Sequence, residues 1–169
     1  MTPTLYAQPY DISAAGFYFG CADTYATKAV ALRNEYGAPV EEFEIQFIDG
    51  ERIDLALANA WGLNQCNLAR YFEVTDAWCD DQKLRFIIAV GECGYSFDLA
   101  CVDPDDFEVD LYEVDSLREL AEQFVDDGLY GEIPEHLAFY IDYDAIARDL
   151  AVDFCMTEID GRRLAYACR

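Results

Sequence analysis

The sequence predicts an α+β protein built from three small subdomains, and three observations carry that expectation. Apolar and acidic residues alternate through EEFEIQFID and FEVDLYEV, the period of a half-buried strand. Elsewhere, runs such as DSLRELAEQFVDDG space their apolar residues as a helix does. The texture also changes twice, near residues 50 and 102. These changes set the expected boundaries: an N-terminal antiparallel β-plus-helix subdomain over 1–52, a mainly helical one over 53–102, and a C-terminal one of strands and helices over 103–169.

Each element has its own local signal. TLYAQPY and GFYFG read as extended aromatic segments. DTYATKAVALRNEYG carries Tyr25, Ala29, Val30 and Leu32 near helical spacing, with Gly37 where a helix would stop. In EEFEIQFID, Phe43, Ile45 and Phe47 share one face while Glu42, Glu44 and Gln46 share the other. DLALANAWG, NQCNLARYFEV and DDQKLRFIIAVGEC follow as short helices, each with Asp or Asn near its start. KLRFIIAV is taken as helix, although so short an apolar run also suits a buried strand, and GYSFDLAC is read as the start of a further helical turn. FEVDLYEV is the next strand, with Phe107, Val109 and Leu111 expected inward and Glu108 and Asp110 outward. DSLRELAEQFVDDG has an N-cap at Asp115 or Ser116, Glu119 at capping-box distance from Ser116, and Gly128 as its stop. IPEHLAFYIDYDAIARDL reads as helix in two pieces, and CMTEI-DG-RRLAYAC as a hairpin turning at Asp160-Gly161.

The charge is extreme for a folded chain. Thirty-four acidic and eleven basic residues among 169 give a net of -23, against a magnitude of about 2–8 for a small soluble domain. With 53% apolar residues, disorder is not the explanation. Self-repulsion on this scale opposes compaction, and it disfavours direct binding to nucleic acid or to an anionic membrane. A basic partner surface is favoured instead. No apolar run approaches the roughly 18–20 residues of a membrane span, and no secretory signal opens the chain. A soluble cytoplasmic protein is expected, with its seven cysteines reduced and mainly buried.

Catalytic and metal chemistry find little support. His136 is the only histidine, which removes most general-base and zinc arrangements. No GxGxxG or GKS/GKT phosphate cradle occurs. DPDDFEVDLYEV begins like a calcium loop but places Phe107 and Glu108 where an oxygen ligand and glycine are required. Carboxylate pairs suited to hydrolysis arise by chance among so many acids. No enzyme activity, metal or cofactor is therefore expected.

What remains is the placement of the acids on ordered elements. DPDDFEVDLYEVD alone holds seven: Asp103, Asp105, Asp106, Glu108, Asp110, Glu113 and Asp115. The next helix adds Glu119, Glu122, Asp126 and Asp127, and the earlier strand region adds Glu41, Glu42 and Glu44. Carboxylates two strand residues apart stand about 6.6 Å from each other, an interval on the scale of a duplex backbone with one phosphate per about 3.4 Å of rise. Such a surface is either a solvated face that maintains solubility or an imitation of nucleic acid.

The run GEIPEHLAFYIDYDAIARDL, and above all its core YIDYDAIARDL, resembles the signature of the ArdA antirestriction family. DSLRELAEQFVDDGLYGEIP is similar to that family's helix before the signature, and GFYFGCADTYATKAVALRNEYG with EEFEIQFID is similar to its first domain. The resemblance implies an elongated, curved chain of three α/β subdomains that dimerises through its C-terminal region. It implies a mimic of bent B-form DNA that occupies the DNA groove of type I restriction-modification enzymes, blocks cleavage and methylation, and travels on mobile genetic elements. The acids above would then stand in for phosphates, with the methyltransferase core as partner. An acidic inhibitor or adaptor of another DNA-binding protein, such as a CRISPR effector or a nucleoid protein, is the alternative. Phe107, Leu111, Leu137, Tyr140, Ile141, Asp142, Tyr143, Arg148 and Asp149 are candidate signature or dimer contacts, and Arg148 is expected to pair with an acid of its own chain.

Overall fold

A computed structural model describes residues 2–169. It holds two small antiparallel sheets with associated helices, so the fold is α+β. The chain divides into two compact units, Met1–Phe107 and Glu108–Arg169. The first and second expected subdomains both fall within the first unit. Acidic surplus is shared: eighteen acidic and six basic residues lie in the first, sixteen acidic and five basic in the second.

In the first unit, β1 (Thr4–Pro9) lies between β2 (Phe17–Phe19) and β3 (Phe43–Asp49), antiparallel to both. Register places Leu5 opposite Phe19 and Phe47, Ala7 opposite Phe17 and Ile45, and Pro9 opposite Phe43. Because strand side chains alternate, these residues form one face, and helices pack on it. Tyr25 of α1 (Ala22–Ala31) sits 5.9 Å from Phe17 and 5.1 Å from Phe19, ring centre to ring centre. Phe72 of α3 (Leu68–Ala77) sits 6.4 Å from Phe19.

Helix α1 stops earlier than Gly37. The Asn34 side chain accepts from the Tyr36 and Ala38 amides at 3.0 and 2.9 Å, and Arg33 bridges to Pro39. An asparagine that offers the backbone a local partner competes with helix continuation.

Three helices complete the unit's core: α2 (Arg52–Trp61), α3 and α4 (Asp80–Phe86). KLRFIIAV is helical, but α4 passes into a π-helical turn, Ile87–Glu92, where the Cys93 amide reaches back to the Ile88 carbonyl at 2.9 Å. Phe86, Ile87, Ile88 and Ala89 are consecutive and all buried, so every side of this segment faces protein. GYSFDLAC forms only an irregular stretch with a turn at 99–101. Trp61, Trp78, Phe86 and Phe97 make an aromatic cluster at 4.9–6.0 Å.

Phe107 departs from its expected place in a strand. Its ring lies 6.0 Å from both Phe86 and Tyr95, so it joins the first unit's core, and β4 begins only at Val109 (Val109–Glu113). Residues Pro104–Asp106 form a 3-10 turn rather than extended chain.

In the second unit, β6 (Arg162–Cys168) lies between β4 and β5 (Cys155–Ile159). The β5–β6 hairpin turns at Asp160 (φ 54°) and Gly161 (φ 77°), the left-handed pair a type I′ turn requires. Helix α5 (Leu117–Asp126) opens with Ser116 as its N-cap, as expected, but Glu119 reaches the amide one residue further back than a capping box would. Ser116 accepts from the Glu119 amide at 3.2 Å, and the Glu119 carboxylate accepts from the Asp115 amide at 2.7 Å. The signature run is helical in two pieces, a 3-10 turn Glu135–Tyr140 and α6 (Tyr143–Leu150). Val114, Leu120, Phe124 and Ala165 form the core, with Tyr112, Leu117, Leu150 and Phe154 packed against it. β4 is covered on both faces: Val109 is buried as expected, at 5% exposure, while on the other face the Tyr112 ring lies 5.2 Å from Phe124 and 5.9 Å from Phe154. Leu111, on the Val109 side, is only half-buried.

The cysteines also differ from expectation. Cys21, Cys66, Cys79, Cys101 and Cys155 are free thiols and exposed. Cys21 and Cys79 occupy the N-caps of α1 and α4, and Cys155 opens an edge strand, positions that point to solvent.

Candidate functional site

The acids expected to bind a partner are sorted by the fold into separate groups. In the first unit, Glu42 and Glu44 share a face. Gln8 pairs with Glu44 in the ladder, and the Tyr10 amide donates to the Glu42 carbonyl at 3.2 Å, which extends the same register by two residues. Tyr6, Tyr18 and Gln46 follow along this face, opposite to the phenylalanine face. Glu41 has the other parity. It borders an open pocket of about 410 Å³ with Tyr25, Phe43 and Cys66.

Asp103, Asp105 and Asp106 also belong to the first unit. The Asp103 side chain caps the 3-10 turn by accepting from the Asp105 amide at 3.0 Å, and Asp105 accepts from Gln82 of α4 at 3.3 Å. These two acids therefore fold the turn as well as charging it. Asp106 is exposed.

In the second unit several candidates already have cationic partners. Asp110 binds Arg169 at 2.6 Å, and Glu113 binds Arg162 through two hydrogen bonds of 3.1 and 2.7 Å. Asp110 and Glu113 differ in parity along β4, so the strand does not present them on one face. Glu108 is exposed, as is Asp115. Along α5, Glu119, Glu122 and Asp126 recur at i, i+3 and i+7, a single stripe about 10 Å long. The opposite side of that helix buries Leu120, Ala121 and Phe124. Asp127 is exposed at the C-cap.

Within the signature, Asp142 caps α6 by accepting from the Ala145 amide at 2.9 Å. Asp144 takes both carboxylate oxygens to Arg118 of α5 at 3.0 Å, while Arg118 also donates to Glu122 at 3.2 Å. The hydrogen bond to Glu122 and the charge of Asp144 hold the Arg118 guanidinium above its usual pKa. The internal partner of the signature acids is thus Arg118, which sequence reasoning passed over. Arg148 is exposed and takes part in no ion pair among the described residues, and Asp149 is exposed too. Leu150 packs on the core. Leu137, Phe139 and Tyr140 lie open to solvent, Phe139 at 93% and Tyr140 at 83% exposure, while Ile141 and Tyr143 are half-buried.

A family model described as antirestriction protein (ArdA) matches residues 34–161. The chain belongs to the ArdA family. That membership implies an antirestriction function. No curated relative matches the chain. Every acid and signature residue considered above lies inside the ArdA match, whereas Tyr6, Tyr10 and Tyr18 precede it. These tyrosines share the face of Glu42 and Glu44, and the two-residue period of TLYAQPY already places Tyr6 and Tyr10 on one side. Among the described residues no helix is long and apolar enough to cross a membrane.

Proposed function

We propose that this ArdA protein is a non-catalytic, stoichiometric inhibitor that mimics DNA and fills the DNA groove of a type I restriction-modification enzyme at its methyltransferase core. The observation that carries this reading is the ordering of the charge. Carboxylates of Glu42 and Glu44 stand on one sheet face, and those of Glu119, Glu122 and Asp126 on one helix stripe. Rigid spacing of several ångströms lets such groups meet a cleft of cationic side chains without first being immobilised. A flexible acidic tail would have to be ordered on binding.

In this reading the protein acts in the cytoplasm as a homodimer whose carboxylates stand in for the phosphates of a duplex. Dimerisation uses the exposed signature residues Leu137, Phe139 and Tyr140, which a monomer would leave in water. Self-association also doubles the number of carboxylates offered to the partner.

The deciding measurement is displacement of a labelled duplex, carrying the recognition site, from a purified type I methyltransferase core across a salt series. Competitive displacement that weakens with rising salt is expected. Neutralising carboxylates one at a time should reduce binding gradually. Binding to the core without displacement of the duplex would overturn mimicry.

A further inference from the structure

The outer face of the N-terminal sheet combines exposed tyrosine rings with carboxylates. Tyr6 and Tyr18 are direct cross-strand neighbours with ring centres 4.7 Å apart, tilted by 53°. Tyr10 stands beside Glu42 in the extended ladder, and Glu44 and Gln46 continue the face. Tyr18 is 58% exposed and Tyr10 66%. The helices of this unit pack on the opposite, phenylalanine face.

The platform is held in place from below. At Gly16 a Cβ would collide with the Tyr6 hydroxyl and come within 2.5 Å of the Ala7 carbonyl oxygen. Glycine is therefore required for the chain to pass so close to the Tyr6 ring. Gln46 donates to Glu44 at 3.1 Å, which orients that carboxylate along the strand. Lys28 is held at the sheet edge by the Tyr18 carbonyl at 2.7 Å.

We propose that this face docks arginine side chains of a basic protein partner, the rings of Tyr18 and Tyr10 taking the guanidinium planes and Glu42 and Glu44 their charge. Charge complementarity names the occupant: the face's charged side chains are carboxylates, and the unit carries eighteen acidic against six basic residues. The rings narrow the choice. A planar, weakly hydrated guanidinium stacks on an aromatic face while its edge hydrogen-bonds a carboxylate, whereas an ammonium is a compact, strongly hydrated point charge. Carboxylates alone already favour arginine through bidentate pairing, so the part of the preference that belongs to the rings is the part lost when a tyrosine is removed. This specificity rests on the reading that the partner is a basic protein surface, and adds that the partner's arginines, rather than its lysines, meet this sheet.

The test uses the full chain and two probes, hexa-arginine and hexa-lysine, by titration calorimetry at matched ionic strength. Hexa-arginine should bind more tightly, and Tyr18→Leu should cost it about three- to ten-fold while leaving hexa-lysine unchanged. Tyr18→Phe should retain the preference, and Glu44→Gln should weaken both peptides. Should Tyr18→Leu disturb the sheet, Tyr10→Leu at the exposed end should show the same arginine-specific loss. Equal affinity for the two peptides, or a Tyr10→Leu variant that keeps the full preference, would overturn the proposal. Measured beside these, binding to a type I methyltransferase core separates the two readings. Arginine preference without binding to that core sinks the restriction target and leaves the docking face standing; binding to it without arginine preference does the reverse.

Discussion

Lys83 Nζ lies 2.7 Å from an Asp54 carboxylate oxygen, with both side chains less than a tenth exposed. The pair ties α4 to α2 beneath the first unit's surface. In a chain with so few cations, one of them is committed to the interior. Taking both charges out of water offsets most of their attraction, but removing one partner strands the other. Lys83→Met should therefore destabilise this unit by about 3–5 kcal/mol, while the double change Asp54→Leu with Lys83→Met should recover most of that loss. Trp61 and Trp78 are the chain's two tryptophans and both lie in this unit, so their fluorescence during urea unfolding reads it selectively. A double variant as unstable as the single one would show that the site needs the ion pair itself.

Tyr71 supplies a pH test in the same core. Its ring is fully buried and its hydroxyl donates to the Asp54 carbonyl at 2.8 Å. Burial pushes the phenol well above the ordinary tyrosine range. In the unfolded chain the group ionises near pH 10, so above that pH the folded state holds a proton that the unfolded state has released. Stability from this group is complete below about pH 10 and falls above it by up to about 1.4 kcal/mol per pH unit. Tyr71→Phe should flatten this alkaline decline, at a cost of about 1 kcal/mol at neutral pH from the lost hydrogen bond. Urea unfolding at a series of pH values above 9 measures both effects. An unchanged slope in the variant would place the alkaline sensitivity elsewhere.

Salt should move stability and binding in opposite directions. Both units carry a large acidic surplus, so screening relieves self-repulsion in the folded state. Raising monovalent salt from about 0.01 to about 1 M shortens the Debye length from roughly 30 to roughly 3 Å. The melting temperature should rise across that range while affinity for a basic partner falls. Circular dichroism melts and a binding isotherm in the same buffers provide the comparison. A melting temperature that drops with salt would mean the carboxylates are already compensated within the chain.

Glu119 separates structure from charge. Its carboxylate accepts from the Asp115 amide just ahead of α5 and also opens the acidic stripe of that helix. A glutamine side-chain oxygen can accept that bond in place of the carboxylate. Glu119→Gln should leave stability within a few tenths of a kcal/mol, by analogy with other conservative surface changes, yet weaken partner binding. Ser116→Ala, which removes the cap and no charge, should cost about 1 kcal/mol of stability and leave affinity for the folded protein unchanged. Comparing the two variants by thermal unfolding and by duplex competition tests whether the stripe works through charge.

Features written in short-range chemistry were legible in the sequence. The Ser116 cap, the Asp160-Gly161 turn and the alternation of β3 each depend on residues a few positions apart. Features decided by distant partners were not. Asp54 meets Lys83 across 29 positions and Arg118 meets Asp144 across 26, and no local pattern announces either pair. Phe107 leaves the strand pattern because Phe86 and Tyr95 offer its ring a place, and α1 ends early because Asn34 takes over its backbone. For the same reason the acids could be counted from sequence but not sorted. Asp110 and Glu113 sit in one alternating run, yet each ends beside an arginine of the last strand region, far along the chain.

The exposed signature residues make the last test. Phe139 and Tyr140 stand almost wholly in solvent beside Leu137, and Leu129 and Tyr130 add 61% and 53% exposure nearby in sequence. Exposed apolar side chains clustered in one stretch of sequence are candidates for a surface that a partner covers. If that partner is a second copy, Phe139→Glu places two carboxylates against an apolar seam already opposed by net repulsion. Loss of an aromatic anchor of this kind costs about 2 kcal/mol or more, roughly thirty-fold in dissociation constant. Sedimentation equilibrium should find the wild type dimeric and Phe139→Glu largely monomeric, with the same far-ultraviolet spectrum because α6 and the core are untouched. A wild type that sediments as a monomer would remove the dimer from the proposed mechanism and halve the number of carboxylates it can bring to a groove.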